Sequence, residues 1–212
     1  MASVPSDPVR SERRPRSRRR LGEDERRAQI VRAALAVVAR HGYAGASTTL
    51  IAAEAEVSKG LLWHYFADKN DLLKQAVVTT ATRITDELIA ELDVTAPPPE
   101  LIRRSIHWIA AWSLGHRDEL RAMDQISRSQ RGADGLPDFT LADYEPTYAS
   151  QEQLFRRGQQ LGYFRPFDTR VMAVTYQGAI DMMLSYADSH PDIDIEQYAD
   201  ALTDIILAAV TA

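Results

Sequence analysis

Residues 47–73 read STTLIAAEAEVSKGLLWHYFADKNDLL. The spacing predicts two short helices joined by a tight turn, then the start of a third. Ser47 is placed to cap a helix over Thr48 to Ala55, its hydroxyl accepting from an unpaired amide of the first turn. Ile51, Ala52 and Ala55 form that helix's buried side, and Glu56-Val57 make the turn with Val57 as its apolar plug. Ser58 caps a second helix, Lys59 to Phe66. Asp68 caps a third beginning at Lys69, with Asp71 three residues on as a weak capping box. Short helix, turn, short helix is the shape that lays a helix in the major groove of DNA.

The second short helix has two chemically different faces. Leu62, Tyr65 and Phe66 fall on one side, at spacings of three and four residues. Lys59, Gly60 and Trp63 fall on another and combine a cation, a bare backbone and a large aromatic ring. The first face suits packing on a preceding helix. The second suits a duplex, where Lys59 can meet a phosphate or a guanine edge and Trp63 a sugar or a thymine methyl.

Upstream, Glu23 to Arg40 is predicted helical. Glu23, Asp24 and Glu25 favour the dipole of the first turn. Ile30, Ala34, Val37, Val38 and His41 recur as one stripe, and Gly42 is a stop of the left-handed kind. Residues 1–22 carry seven arginines against Asp7 and Glu12, with almost nothing apolar. They read as a disordered basic arm, either lying on the DNA backbone or idle in solvent. The net charge of −5 therefore hides a basic end on an acidic body, as expected of a protein that touches a polyanion at one end.

The ordered string Val57-Ser58-Lys59-Gly60, Leu62-Trp63, Tyr65-Phe66, Lys69 and Leu72-Leu73, with Gly42-Tyr43 and Ile51-Ala52 before it, resembles the DNA-binding domain of TetR-type (TetR/AcrR) transcriptional regulators over roughly residues 24–73. The resemblance implies an all-α chain: a three-helix helix-turn-helix domain (23–68) followed by a helical bundle (69–212) for ligand binding and dimerisation. It implies that Thr48 and Thr49 touch phosphate and a base edge, that Lys59, Gly60 and Trp63 read bases, and that Tyr65 and Lys69 hold flanking phosphates. His64 sits beside them as a DNA-proximal surface residue. Two residues depart from the family pattern. Glu56 stands where glycine is usual in the turn, and Trp63 replaces the usual tyrosine.

The chain has no cysteine, which excludes disulfides, thiolate metal sites and cysteine nucleophiles. No apolar run approaches the ~18 residues that span a membrane, and Glu23-Asp24-Glu25 occupy the place where a signal peptide would need its apolar region. A cytoplasmic, membrane-free protein is expected. His41, His64, His107, His116 and His190 are scattered, with no zinc frame and no glycine-rich phosphate loop. No enzyme, metal site or cofactor is expected.

Beyond Lys69 the pattern predicts a long helix to about Asp93, ended by Pro97-Pro98-Pro99. Helices follow over Glu100–Leu114, Arg117–Gln130, Leu141–Leu161, Thr169–Ser189 and Ile195–Val210. His107, Trp108, Trp112, Met123, Tyr144, Tyr148, Phe155, Tyr176 and Met183 are the amphipathic side chains from which an effector pocket would be built; each alone is more often a core residue. Val171, Val174, Gly178, Met182 and Tyr186, with Tyr198, Leu202, Ile205, Ile206 and Ala209, make wide apolar stripes on the last two helices. The resemblance implies that these helices pair with those of a second subunit. A two-fold dimer would match a (pseudo)palindromic operator in double-stranded DNA. Repressor and activator share every one of these residues, and a helical partner-binding protein that no longer reads DNA is the alternative that Glu56 would favour.

Overall fold

The structure, a computed structural model, describes residues 22–132 and 134–211. They form an all-α fold: α1 (Glu23–Gly45), α2 (Thr48–Glu54), α3 (Lys59–Tyr65), α4 (Lys69–Glu91), α5 (Pro98–Gly115), α6 (Arg117–Ser129), a 3-10 turn (Leu141–Tyr144), α7 (Glu145–Gln160), α8 (Thr169–Ser189) and α9 (Ile195–Val210). The basic arm lies outside the described residues except for Gly22, whose amide donates to the Glu25 carboxylate at 3.0 Å.

Two apolar cores organise the chain. The first gathers Ile30, Ala34, Val37 and Val38 of α1, Ile51 and Ala52 of α2, Leu62 and Phe66 around α3, and Leu72, Leu73, Ala76 and Val77 of α4. It also takes in Ala122 and Ile126 of α6. The DNA-reader region is thus seated on α6 as well as on the helix that leaves it. The second core joins α5, α7, α8 and α9 around Ile102, Ile106, Phe155, Tyr176, Met183, Ala199 and Ile206.

Two expectations about α1 need refinement. The helix does break at Gly42, where φ is +70°, but helical turns resume to Gly45. His41 shares the spacing of the buried stripe and is nevertheless exposed. It lies in the turn just before that break, at the margin of the core. Downstream, Pro98 and Pro99 open α5, where their missing amides cost nothing, and Pro146 sits in the first turn of α7, which begins at Glu145.

The segment between α6 and α7 is stapled across the start of α4. Asn70 donates to Arg131 O at 3.3 Å, and buried Gln130 donates to Asn70 O at 2.8 Å. Lys74 donates to Asp138 O at 2.9 Å, and its ammonium lies 3.2 Å from an Asp143 carboxylate oxygen.

The end of α7 is packed as closely as a glycine allows. A Cβ built on Gly158 would lie 2.0 Å from Cδ2 of Phe164, which is buried in the second core. Gly158→Ala must push that ring aside. The expected loss is about 1–3 kcal/mol of stability in urea unfolding, the usual size of an overpacking effect. An unchanged midpoint would show that the ring relocates freely.

Candidate nucleic-acid interface

Each end of the helix-turn-helix is fixed by a local device. Ser47 Oγ accepts the Leu50 amide and Ser58 Oγ the Leu61 amide, both at 3.2 Å. Asp68 Oδ1 accepts the Asp71 amide at 2.8 Å and so caps α4. Asp71 does not close a capping box onto Asp68; its Oδ2 reaches one residue further back, to the Ala67 amide at 2.8 Å.

The turn between α2 and α3 is a helix stop with a left-handed residue. The Val57 amide bonds to Ala52 O at 2.9 Å and the Glu56 amide to Ala53 O at 3.0 Å. This pair of bonds needs positive φ at the residue between them, and Glu56 has φ +51°. The position where the resembled family keeps glycine is therefore filled by a residue with a Cβ, and the backbone keeps the turn. Val57 packs against the first core, as the plug predicted from sequence.

The two faces of α3 separate as their spacing predicts. Leu62 and Phe66 are buried and Tyr65 packs partly against the same core. Lys59, Gly60 and His64 are exposed, and Trp63 is 43% exposed although it is among the largest apolar side chains of this half. Thr49 is exposed at the start of α2, with Thr48 half-buried beside it. Lys69 is turned inward: its Nζ donates to Tyr43 O at 3.4 Å and lies 5.2 Å from the centre of the Tyr43 ring. Burial there lowers the Lys69 pKa. Thus Thr49, Lys59, Gly60, Trp63 and His64 are each open to solvent, Thr48 and Tyr65 are half-buried, and Lys69 would have to swing away from Tyr43 to meet a phosphate.

This surface belongs to a recognised domain. Residues 30–76 match the family model described as bacterial regulatory proteins, tetR family. This stretch of the chain is a TetR-type DNA-binding domain. Among its relatives is the HTH-type transcriptional regulator BetI of Paraburkholderia xenovorans (strain LB400), 25% identical over 190 residues that cover 76% of this chain and 94% of that protein. The transcriptional regulator FadR from Bacillus subtilis, solved in complex with stearoyl-CoA, has the same fold at TM-score 0.75 and 18% identity, over 85% of this chain and 97% of that one. AibR, solved with isovaleryl coenzyme A and operator DNA, aligns at TM-score 0.64 and 23% identity, over 85% of this chain and 97% of that one. With this domain the chain is a DNA-binding transcriptional regulator, and its relatives are named as regulators rather than enzymes.

The amphipathic side chains of the bundle fall into separate groups. Trp108 and Trp112 stack on α5 with ring centres 6.1 Å apart, and Trp112 Nε1 donates to Glu87 of α4 at 3.0 Å. Arg83, 5.7 Å from the Trp112 ring, pairs with Glu87 at 2.6 Å and with Glu119 of α6 at 2.8 Å. These pairings lower the Glu87 pKa, the Arg83 hydrogen bond foremost. An open hollow of about 410 Å³ lies beside them, lined by Val78, Thr82, Arg83, Asp86 and Glu87. Tyr144 and Tyr148 stack at 5.9 Å near the start of α7. Phe155, Tyr176 and Met183 are buried together in the second core, where burial raises the Tyr176 pKa against the opposing pull of the Ser105 hydroxyl. Met123 joins none of these, because its helix faces α1 and it packs on the first core. His107 lies on the seam between α5 and α9, within 3.5 Å of Glu196 and 3.3 Å of Asp200. Among the described residues no group of His, Asp and Glu is placed to hold a metal ion, and no helix is long and apolar enough to cross a membrane.

One contact escaped the sequence reading. Arg27 of α1 meets Gln75 of α4, which in turn holds Asp71 one helical turn back; only the tertiary fold brings Arg27 to this pair.

Two outcomes follow from this geometry. Lys59→Ala combined with Trp63→Ala should abolish sequence-specific binding in a mobility-shift assay while leaving the circular dichroism spectrum unchanged; retained specificity would move the reading surface elsewhere. Glu56→Gly should raise stability by up to about 1 kcal/mol in thermal unfolding, since glycine adopts positive φ without steric cost.

Proposed function

We propose that this regulator is a TetR-family, ligand-responsive repressor that binds a (pseudo)palindromic operator as a homodimer. The observation that carries the dimer is the outer face of α8. Val171 is 61% exposed and Met182 60%, and Val174 and Tyr186 are exposed between and beyond them. Gly178 lies on the same line, and Ile205 of α9 adds a further apolar side chain, 65% exposed. Apolar surface aligned along two neighbouring helices is costly in water and is removed from it when a second copy packs against it. In this reading Leu202 and Ile206 serve the protomer's own core and Ile205 the partner.

Residues 23–68 hold the reading surface and 69–212 the sensing and dimerising parts. Thr48 and Thr49 fix register on phosphate and a base edge, Lys59, Gly60 and Trp63 read base edges, and His64, Tyr65 and Lys69 flank them. The effector is a small molecule received among Trp108, Trp112, Tyr144, Tyr148, Phe155, Tyr176 and Met183. Met123 takes part through α6, between that region and the reader. FadR and AibR, which share the fold, were each solved with an acyl-CoA, which supports a small-molecule site without fixing its ligand here. The Arg83–Glu87–Trp112–Glu119 set joins α4, α5 and α6, so a ligand that shifts α5 shifts α4 with it. Repression is relieved when the ligand prefers the dimer shape in which the two α3 helices no longer match successive half-sites. As a reader of the chromosome the protein acts in the cytoplasm.

The test joins assembly to binding. The wild-type chain should run as a dimer in light scattering and protect a two-fold site in DNA flanking its own gene. Met182→Glu combined with Ile205→Glu should give a folded monomer that protects no site at the same concentration. A dimer that survives both glutamates places the interface elsewhere, and a monomer that still footprints normally removes the operator symmetry.

A further inference from the structure

Arg27 of α1 holds the far end of the recognition helix. Its Nη1 donates to Tyr65 O, the last residue of α3, at 3.3 Å. Its guanidinium lies 4.9 Å from the centre of the Phe66 ring. Its Nη2 donates to Gln75 Oε1 on α4. Gln75 Nε2 donates to Asp71 Oδ1 at 2.6 Å, and Asp71 Oδ2 accepts the Ala67 amide at 2.8 Å. The circuit closes on itself: α1, the end of α3, the connector after it, and the first two turns of α4.

We propose that Arg27 is a positioning residue for sequence reading, fixing the direction of α3 and tying it to α4 without touching DNA. Four considerations support this. A helix of seven residues does not hold its shape alone, so its direction is set by its anchors. The Leu62–Phe66 contact keeps α3 on the core, but apolar contact has little directionality. A guanidinium fork is directional, and its charge complements the partial negative charge of a helix C-terminus. Finally, Arg27 is half-buried and both its Nη atoms have partners within the protein, so it is poorly placed to serve as a phosphate contact. A displacement of the start of α4 moves Asp71 and Gln75, and through them the Ala67 amide, Arg27 and the Tyr65 carbonyl.

The test compares Arg27→Ala, Gln75→Ala, the double variant and Arg27→Lys. The probes are a duplex that the wild-type protein enriches from a randomised pool and a scrambled duplex of the same length. Each alanine variant should lose about tenfold or more in affinity for the enriched duplex, the usual weight of a hydrogen bond to a charged group. Affinity for the scrambled duplex and its salt slope should not change. The double variant should be no worse than the poorer single one, since both remove one circuit. Arg27→Lys should fail to rescue, because an ammonium cannot reproduce the two-pronged geometry.

The proposal is overturned if Arg27→Ala weakens both duplexes alike and lowers the salt slope by about 0.9, the mark of one lost phosphate contact. It is equally overturned if the variants melt earlier but keep the wild-type preference for the enriched duplex. A wild-type protein that enriches no duplex would overturn it together with sequence reading itself. Unaltered variants on an enriched duplex would overturn it alone.

Discussion

The exclusion of water from the space beneath α1 governs the rest of the structure. Ile30, Ala34, Val37 and Val38 offer one continuous apolar surface, and every part of the reader is placed by covering some of it. The helices α2 and α3 are seven residues each and too short to persist unaided. They are helical because this surface receives Ile51, Ala52 and Leu62, and because Ser47 and Ser58 satisfy the amides that such short helices leave open. The same surface receives Leu72, Leu73 and Ala76 from α4 and Ala122 and Ile126 from α6. The DNA reader and the helical bundle are joined through shared core rather than through a linker.

That arrangement decides how a signal can travel. A flexible tether would let the bundle change shape without consequence for α3. A packed interior moves between discrete arrangements instead of deforming smoothly. Here α6 is pinned to α8 through Arg121 and Asp188, at 2.6 Å, and to α4 through Glu119 and Arg83. It also meets the end of α1, where Gln125 accepts the Tyr43 amide at 3.2 Å. The long helix α4 is thus one of two routes between bundle and reader, and α6 is the shorter of them.

What could be read from the sequence was what is local. Caps at Ser47, Ser58 and Asp68 act within three residues, so their chemistry is visible in the string. The inward and outward faces of α3 follow from helical periodicity, and the stripe on α8 does too. Glu56 announced an unusual turn because the resembled pattern has glycine there, and the turn indeed has positive φ. The arrangement of the bundle was less legible. Met123 and Trp112 look alike as pocket candidates in sequence, yet one faces α1 and the other α4, because which helix packs on which is settled by long-range contacts. His41 keeps the spacing of buried neighbours and is exposed, since periodicity marks a direction and not the extent of what covers it. The Arg27–Gln75 bond spans forty-eight positions and carries no local mark.

The staple between α6 and α7 has a consequence for how this protein can change over generations. Two of its fastenings on α4 grip main-chain oxygens, those of Arg131 and Asp138, and a third joins the Gln130 side chain to the Asn70 carbonyl. A main-chain oxygen is present whatever side chain the position bears. Exposed Leu136 can therefore drift in identity while the path of the segment is kept, whereas Gly135 is held at φ +77° and the fastening itself falls on Asn70, Lys74 and Gln130. Variation at Leu136 is cheap and variation at the three holders is not, so a lineage can remodel the surface next to the reader without disturbing its footing.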